Sequence, residues 1–384
     1  MKYKFVLVLL CLVSSFAFTQ ESDVDNLFSD SKDIVTQENA NNNHSDLTTA
    51  FTNAPKLQFS GSFSATGGLG IGYTQWPDLS SPLKYYDGSA GATATTTLVM
   101  KAQPSSALSV YGDISTSLDT MSSTPTYSWS DLHIGSLYFD YYGIPNMGIR
   151  GGQFATAWGH GRIFTATNLM QDSASSINLR VSLPLVLQGL SLFVLANKDY
   201  FTSTPTVYEY AYAGMVDHII GPLRITGAMR YQKKEGLGTL FSVQGTLLGV
   251  DVFADTVIRY IDTFQQPIIV GGFFKEFSHT RLYGEYQYDG SNLNAQDHSI
   301  GLVFLQKRLV SQPLDAGIKW EHTFYDNSGQ LIPGFTWSGL PNITLQVALP
   351  ITYGPENSRY VINNSDPGKR RIVLAIAAKI EGSF

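Results

Sequence analysis

The sequence predicts an all-β fold, a transmembrane antiparallel β-barrel of about eighteen strands with sixteen as the alternative count, and three observations carry that reading. Apolar and polar residues alternate one by one from Leu57 to the last residue, the period of a strand with one face in water and the other out of it. Charged residues make up only 15% of the chain while aromatics reach 12%, against about 25% charge in an ordinary soluble domain. Beyond the opening segment no stretch approaches the roughly 18 to 20 continuous apolar residues of a membrane helix. A shortage of charge without long apolar runs is what a barrel produces, because half of every strand meets lipid and the other half water.

The chain opens MKYKFVLVLLCLVSSFAFTQ, with Lys2 and Lys4 before an apolar run from Phe5 to Val13 and small residues after it. That is the pattern of a secretory signal peptide, expected over residues 1–17 with cleavage after Ala17 or, as a second option, after Thr19. Cys11, the only cysteine, lies inside this run behind the bulky Leu10. That argues against a lipid-modified cysteine, so the mature chain is expected to hold no disulfide and no thiolate metal site. Residues 18–55 are polar and asparagine-rich, and Glu21, Asp23, Asp25, Asp30, Asp33, Glu38 and Asp46 stand against one base, Lys32. They read as an acidic, disordered periplasmic linker. The barrel is expected over 56–384, close to charge balance.

The first strand, LQFSGSFSATGGLGIGYT, puts Leu57, Phe59, Phe63, Ala65, Leu69, Ile71 and Tyr73 on one face and Gln58, Ser60, Ser62, Ser64 and Thr66 on the other. In the same way Leu223, Ile225, Met229 and Tyr231 alternate with Arg224, Thr226 and Arg230, and Ile318, Trp320 and Phe324 oppose Lys319, Glu321 and Thr323. This period predicts strands near 57–74, 90–102, 107–118, 131–142, 147–154, 177–184, 189–197, 206–218 and 222–232. The second half follows with 238–248, 250–261, 267–277, 279–288, 297–306, 314–325, 330–338, 341–353 and 370–384. Charge stays on the water-facing row, which is expected to carry Arg224, Arg230, Asp251, Asp255, Arg259, Glu285, Lys319 and Glu321 into the lumen.

Connections alternate between short ones, such as QPSS, IPN and SGLP, and long ones over 75–89, 119–130, 155–176, 289–296 and 354–369. Barrels of this kind have short periplasmic turns, longer external loops, an even strand number and both ends inside. The last strand, IVLAIAAKIEGSF, alternates to a terminal Phe384. It resembles the C-terminal signal of bacterial outer-membrane proteins, which implies recognition of Phe384 by the barrel assembly machinery; Gly382 departs from that pattern, which favours a bulky residue third from the end.

One segment breaks the alternation. RGGQFATAWGHGRIFTATNLM, from Arg150 to Met170, occupies the third external loop and its entry. Its Gly152-Gln153, Trp158-Gly159, Gly161-Arg162, Phe164 and Asn168-Leu169 resemble a motif of several Gram-negative porin families, G-R-Q, W-G-x-G and F-x-x-x-D-L, leading into a loop folded into the pore. Gly152 stands where arginine is usual, and Asn168 where aspartate is common. The linker-plus-barrel layout also resembles spirochaete outer-membrane proteins. Physically, a barrel of sixteen to eighteen strands encloses a channel too wide for wall side chains to fill, so an inward loop is needed for selective passage. The expected constriction comprises Trp158, His160 and Arg162 on the loop with Arg150 and Arg180 on the flanking strands. For Trp158 the alternative is packing of the loop, for His160 an exposed loop residue, and for Arg162 and Arg180 ion pairs to Asp140, Asp251, Asp255 or Glu285.

Other chemistry finds no footing. GGLGIG from Gly67 lies inside a strand without a following helix, so it lacks the context of a dinucleotide loop, and the seven histidines are scattered without metal-ligand spacing. His218 beside Asp217 is the nearest hint of a catalytic pair, placed near a periplasmic turn. No cofactor, no metal, no enzyme activity and no nucleic-acid partner are expected. The expectation is an outer-membrane channel for passive diffusion of small hydrophilic solutes, with membrane lipid as its surroundings and an oligomeric state that the sequence does not define. The alternatives are a long-chain fatty-acid channel, which would need an apolar lumen, and a surface structural or host-interaction barrel.

Overall fold

The structure is a computed structural model that describes residues 57–73, 86–120, 129–185, 187–201, 206–291, 297–309, 313–361 and 372–383. The expected signal peptide, the expected acidic linker and Phe384 lie outside the described residues. Strand segments run in the order β1 (Leu57–Tyr73), β2 (Tyr86–Ser105), β3 (Leu108–Asp119), β4 (His133–Ile144), β5 (Met147–Gln153), β6 (Ile177–Pro184), β7 (Gln188–Ala196), β8 (Ala211–Ile220), β9 (Leu223–Gln232) and β10 (Gly236–Leu247). They continue with β11 (Val250–Ile261), β12 (Thr263–Phe264), β13 (Ile268–Phe277), β14 (Thr280–Asp289), β15 (Asp297–Gln306), β16 (Leu314–Thr323), β17 (Ser328–Leu340), β18 (Ile343–Ala348), β19 (Ile351–Tyr353) and β20 (Ile372–Ser383). β20 pairs antiparallel with β1, from Ser62 opposite Ser383 to Tyr73 opposite Ile372, and closes the barrel.

β12 is a stub folded back on the end of β11. β18 and β19 are halves of one crossing strand, since both pair with β17 and with β20. Pro350 causes that break: proline has no N–H to give a ladder, and at this point Leu349 N–H bonds Pro333 O while Val373 N–H bonds Pro350 O. Eighteen strands therefore cross, and the count of sixteen is set aside. The expected strand over 206–218 begins only at Ala211, because Val207–Glu209 forms a short 3-10 turn held by a capping box between Thr206 and Glu209.

Cross-strand partners point to the same face, so the register carries one row of side chains around the ring. Gln58 lies opposite Lys101, Lys101 opposite Tyr111, Tyr111 opposite Tyr138, Arg150 opposite both Asp140 and Arg180, and Arg180 opposite Phe193. Further round, Arg230 lies opposite Gly238, Ser242 opposite Asp255, Glu285 opposite Gly301, and Glu321 opposite Gln330. This is the lumen row, and all eight predicted lumen charges fall on it. The outward row leaves Phe59 at 62% and Phe241 at 56% exposure. Large apolar side chains bare all round a closed sheet are stable only where lipid covers them.

Aromatic groups gather where the outward row leaves the apolar band. Trp320 Nε1–H donates to Tyr353 Oη at 2.8 Å, and the His322 ring lies nearly parallel to both rings, 5.9 Å from each. Indole and phenol rings favour this level because one end is apolar and the other wet. The opposite rim carries the tight turns, among them Pro145-Asn146 and Gly221-Pro222 with Asn146 and Gly221 at positive φ, and there both β1 and β20 have their terminal ends. That rim is the periplasmic one by the ordinary orientation of such barrels.

Candidate functional site

The third external loop, residues 154–176, leaves β5 and turns inward. Gly152 makes the turn possible. Its φ is +129°, and a Cβ there would lie 2.2 Å from the carbonyl oxygen of Leu137, which accounts for glycine where the resembling motif has arginine. Gln153 then ties the loop's two ends together, donating to Ile134 O at 3.2 Å and Ala174 O at 3.1 Å. Asn168 organises the middle by accepting from Trp158 N–H at 2.9 Å and Met170 N–H at 3.0 Å.

The loop's first attachment is apolar. Trp158, Leu169 and Met170 are buried in one cluster with Phe193, Leu195, Ala211, Ala213, Ala228, Leu240, Val257 and Ile268. The latter eight belong to the lumen row of β7, β8, β9, β10, β11 and β13, so this part of the wall is not the polar surface the alternation led us to expect. Trp158 meets Phe193 edge to face at 5.4 Å, and Leu169 covers the bare lumen face of Gly238. At about 1.5 to 3 kcal/mol per fully buried large side chain, these three anchors contribute several kcal/mol. Trp158 is thus loop packing, and it presents no surface to the bore.

The second attachment is polar and lies farther across. Asp255, fully buried on β11, accepts the His160 N–H, has His160 Nδ1 at 3.0 Å and receives Thr167 Oγ1 at 3.4 Å. Glu285, on β14 and 3% exposed, accepts three successive loop amides: Arg162 N–H on one oxygen, and Ile163 N–H at 3.0 Å and Phe164 N–H at 2.8 Å on the other. Tyr283 Oη donates to the same carboxylate. Ile163 then packs over Gly301 on β15. The loop therefore runs along the inner wall from β5 and β6 to β14 and β15, and two wall carboxylates grip its backbone.

The predicted cations divide. Arg150 is neutralised by a bidentate pair to Asp140, at 2.7 and 2.9 Å, and its guanidinium lies 4.3 Å from the Tyr138 ring centroid. Arg180 has no carboxylate partner among the described residues; its Nε donates to Ser182 Oγ at 2.8 Å and it stands 6.0 Å from the Phe193 ring. Arg162 is half-buried at the loop tip. Arg230 pairs with Asp172 at 2.7 Å and Glu235 at 2.8 Å, and Lys319 pairs with Glu321 at 2.9 Å. Asp251 accepts Thr246 Oγ1 at 2.5 Å, while Arg224 and Arg259 form no ion pair among the described residues. Of the carboxylates proposed as partners of Arg162 and Arg180, Asp140 takes Arg150, Asp251 accepts the Thr246 hydroxyl, and Asp255 and Glu285 accept loop amides.

The site also bears on catalysis. Ser242, His160 and Asp255 meet, yet Ser242 Oγ at 3.0 Å and Asp255 Oδ1 at 3.0 Å both contact the same ring nitrogen, Nδ1. A serine relay needs the two on opposite nitrogens. Asp217 and His218 point to opposite faces of β8, Asp217 to the lumen opposite Thr226 and His218 outward opposite Ile225. Among the described residues no group of three metal-ligating side chains occurs.

No family model matches the sequence, and no curated protein matches it. Solved structures do match in fold. OccAB3 of Acinetobacter baumannii aligns with a TM-score of 0.53 at 7% identity, covering 85% of this chain and 100% of that one. OpdK of Pseudomonas aeruginosa, solved with vanillate, gives 0.54 at 6% identity over 85% and 99%. A BenF-like porin from Pseudomonas fluorescens gives 0.53 at 10% identity over 85% and 99%. At these identities the likeness is one of fold, that of the Gram-negative outer-membrane porins.

Proposed function

We propose that the protein is an outer-membrane porin through which small hydrophilic solutes diffuse passively, narrowed by the third loop, with a preference for anionic or zwitterionic solutes. The observation that carries this is the loop itself: a closed eighteen-strand barrel has room for water, and residues 154–176 fold into it along one side as far as Asp255 and Glu285. Since the loop lies on the wall of β7 to β15, the passage is the sector between it and the strands β1 to β6 and β16 to β20. A lumen row of Ser, Thr, Gln and charged residues along those strands suits hydrated solutes and not acyl chains.

The preference follows from which charges are still available. Asp255 and Glu285 are buried beneath the loop, and Arg150 is cancelled by Asp140. Arg180 is a mid-barrel cation with no carboxylate partner among the described residues. Asp217 and Asp251 near the periplasmic mouth oppose it, so the selectivity is modest. The pairing of OpdK with vanillate, an aromatic carboxylate, supports a carboxylate as one solute to try.

Planar-bilayer recording tests the proposal. The folded wild type should conduct in steps, and Arg180→Ala should lower the anion-to-cation permeability ratio about two-fold, the effect of one charge roughly 8 Å from the ion path in water screened by about 0.15 M salt. Folded protein that passes no current would sink the porin reading; an unshifted reversal potential in the variant would sink the role of Arg180 alone.

A further inference from the structure

Among described side chains of the strands, every Asp, Glu, Lys and Arg stands on the lumen row except one. Lys275, on β13, lies opposite Val252's neighbour Asp251 only diagonally; its own partner is Leu282, and the row it joins runs through Leu282 and Phe304 to Ile318, all outward. A charge in lipid is tolerated where a flexible stem lifts it to the headgroups. Lys275 does this: its Nζ reaches the carbonyl of Gly249 in the periplasmic turn between β10 and β11 and stands 5.6 Å from the ring of Phe277. Beside it Leu248 is 94% exposed at the rim, a position suited to acyl chains and poorly suited to water.

A second observation lies in the turns. Those at 106–107, 145–146, 185–187, 221–222, 248–249 and 341–342 contain no Asp, Glu, Lys or Arg. The turn after β15 contains Lys307 and Arg308, next to His279 in the turn after β13, with Lys307 N–H bonded to His279 O at 2.7 Å. The neighbouring acids Glu276 and Asp315 are on the lumen row, where Glu276 pairs with Arg281 at 3.0 Å and Asp315 accepts the Arg308 N–H at 2.9 Å. Among the described residues the outward row of this rim sector, from β13 to β16, therefore carries Lys275 and no acid, and its turns add His279, Lys307 and Arg308.

We propose that Lys275, with His279 and Arg308 in the turns that follow on the same rim, forms a docking site for the headgroup phosphate of an anionic phospholipid in the periplasmic leaflet. The proposal rests on the reading of the chain as an outer-membrane barrel. The lysine keeps donors beyond the one it gives to Gly249, and Phe277 and Leu248 flank the place where the acyl chains would lie. Its outward position excludes it from the solute path.

Native mass spectrometry of the full-length protein in mild detergent, titrated with phosphatidylglycerol or phosphatidylethanolamine, tests it. The wild type should hold phosphatidylglycerol about five-fold more tightly than Lys275→Gln, the share of one basic residue near an anionic surface. Arg308→Gln should weaken retention less, and phosphatidylethanolamine should bind all three alike. Equal retention of phosphatidylglycerol by wild type and Lys275→Gln, or of both lipids by the wild type, would overturn the site. So would a loss of oligomer in Lys275→Gln at unchanged lipid retention, which would assign the lysine to a second copy of the chain. Bilayer conductance should be the same in wild type and both variants; a wild type that retains the lipid selectively but passes no current would fail the pore reading and leave the lipid site standing.

Discussion

The two walls joined by the third loop use charge in opposite ways. On β4, β5 and β6 the charges are side-chain business: Asp140 grips Arg150 with both oxygens, and Arg180 is left to the bore. On β11 and β14 the carboxylates serve main chain instead, Asp255 taking the His160 amide and Glu285 the amides of Arg162, Ile163 and Phe164. Burying a carboxylate is costly unless hydrogen bonds replace its water, and three amides and the Tyr283 hydroxyl on one carboxylate do so. The difference teaches how a porin-like barrel can hold acidic groups at mid-depth without making its passage acidic.

The strongest way to break this contrast is Glu285→Ala. It leaves three amides and the Tyr283 hydroxyl without their acceptor, and at about 1 to 3 kcal/mol per unsatisfied buried group the far end of the loop should detach. Single-channel conductance should rise and the open current should become noisy, while the apolar cluster around Trp158 keeps the near end seated. Unchanged conductance in a folded variant would show that the Glu285 grip does not set the aperture.

A smaller effect is expected from Gly161→Ala, which leaves the carboxylates in place. A Cβ there would lie 2.1 Å from Phe164 O and 3.1 Å from Val270 Cγ1, so the tight turn that presents consecutive amides to Glu285 must open, at a cost on the order of 1 to 3 kcal/mol. The melting temperature should fall and the conductance should move in the same direction as in Glu285→Ala, by less. An unaltered melting temperature would mean that the turn is not what aligns the amides.

Why the barrel was readable and the grip was not is a matter of range. Alternation is local, so Leu57 to Tyr73 or Leu223 to Gln232 declare their two faces without knowledge of any partner. Gly152 departed from the resembling motif for a reason that only geometry supplies, a positive φ, whereas the bridge that Asn168 makes between two loop amides is one an aspartate oxygen could also make. Asp255 and Glu285 were recognised as lumen charges, but nothing in a side-chain pattern says that a carboxylate will bind the main chain of a segment more than a hundred residues away, as Glu285 does. Two features did leave signals. Thr206 and Glu209 have the spacing of a capping box and mark the turn misread as strand, and Pro350 marks the break between β18 and β19. The apolar lumen stretch was hidden because Phe193 and Leu240 sit in strands whose other face is apolar too, so both rows read alike.

The smallest predicted effect sharpens the comparison by taking a carboxylate that binds loop backbone in water. Asp326 lies at the tight connection after β16, where Oδ1 accepts Ser328 N–H at 3.0 Å and Ser328 Oγ at 2.6 Å, and Oδ2 accepts Arg359 N–H at 2.6 Å from the last external loop. Its slight burial works to raise the pKa, but the hydrogen bonds from Ser328 and Arg359 outweigh that and hold the carboxyl below its ordinary range. A depressed carboxyl contributes stability above its unfolded pKa, about 3.9, and loses it as pH falls through the folded value. Asp172, at the root of the third loop, is shifted the other way, raised chiefly by burial with Arg230 opposing. Its contribution is greatest in acid and is lost as pH rises through the folded value. Hydrogen exchange at pH 3 and pH 7, corrected for intrinsic rates, should therefore show protection at residues 358–361 falling in acid while that at 172–176 does not. In Asp326→Asn the loss at 358–361 should already be present at pH 7 and should no longer deepen in acid; protection that falls equally at both loop roots would mean the acid response belongs to the barrel and not to these carboxylates.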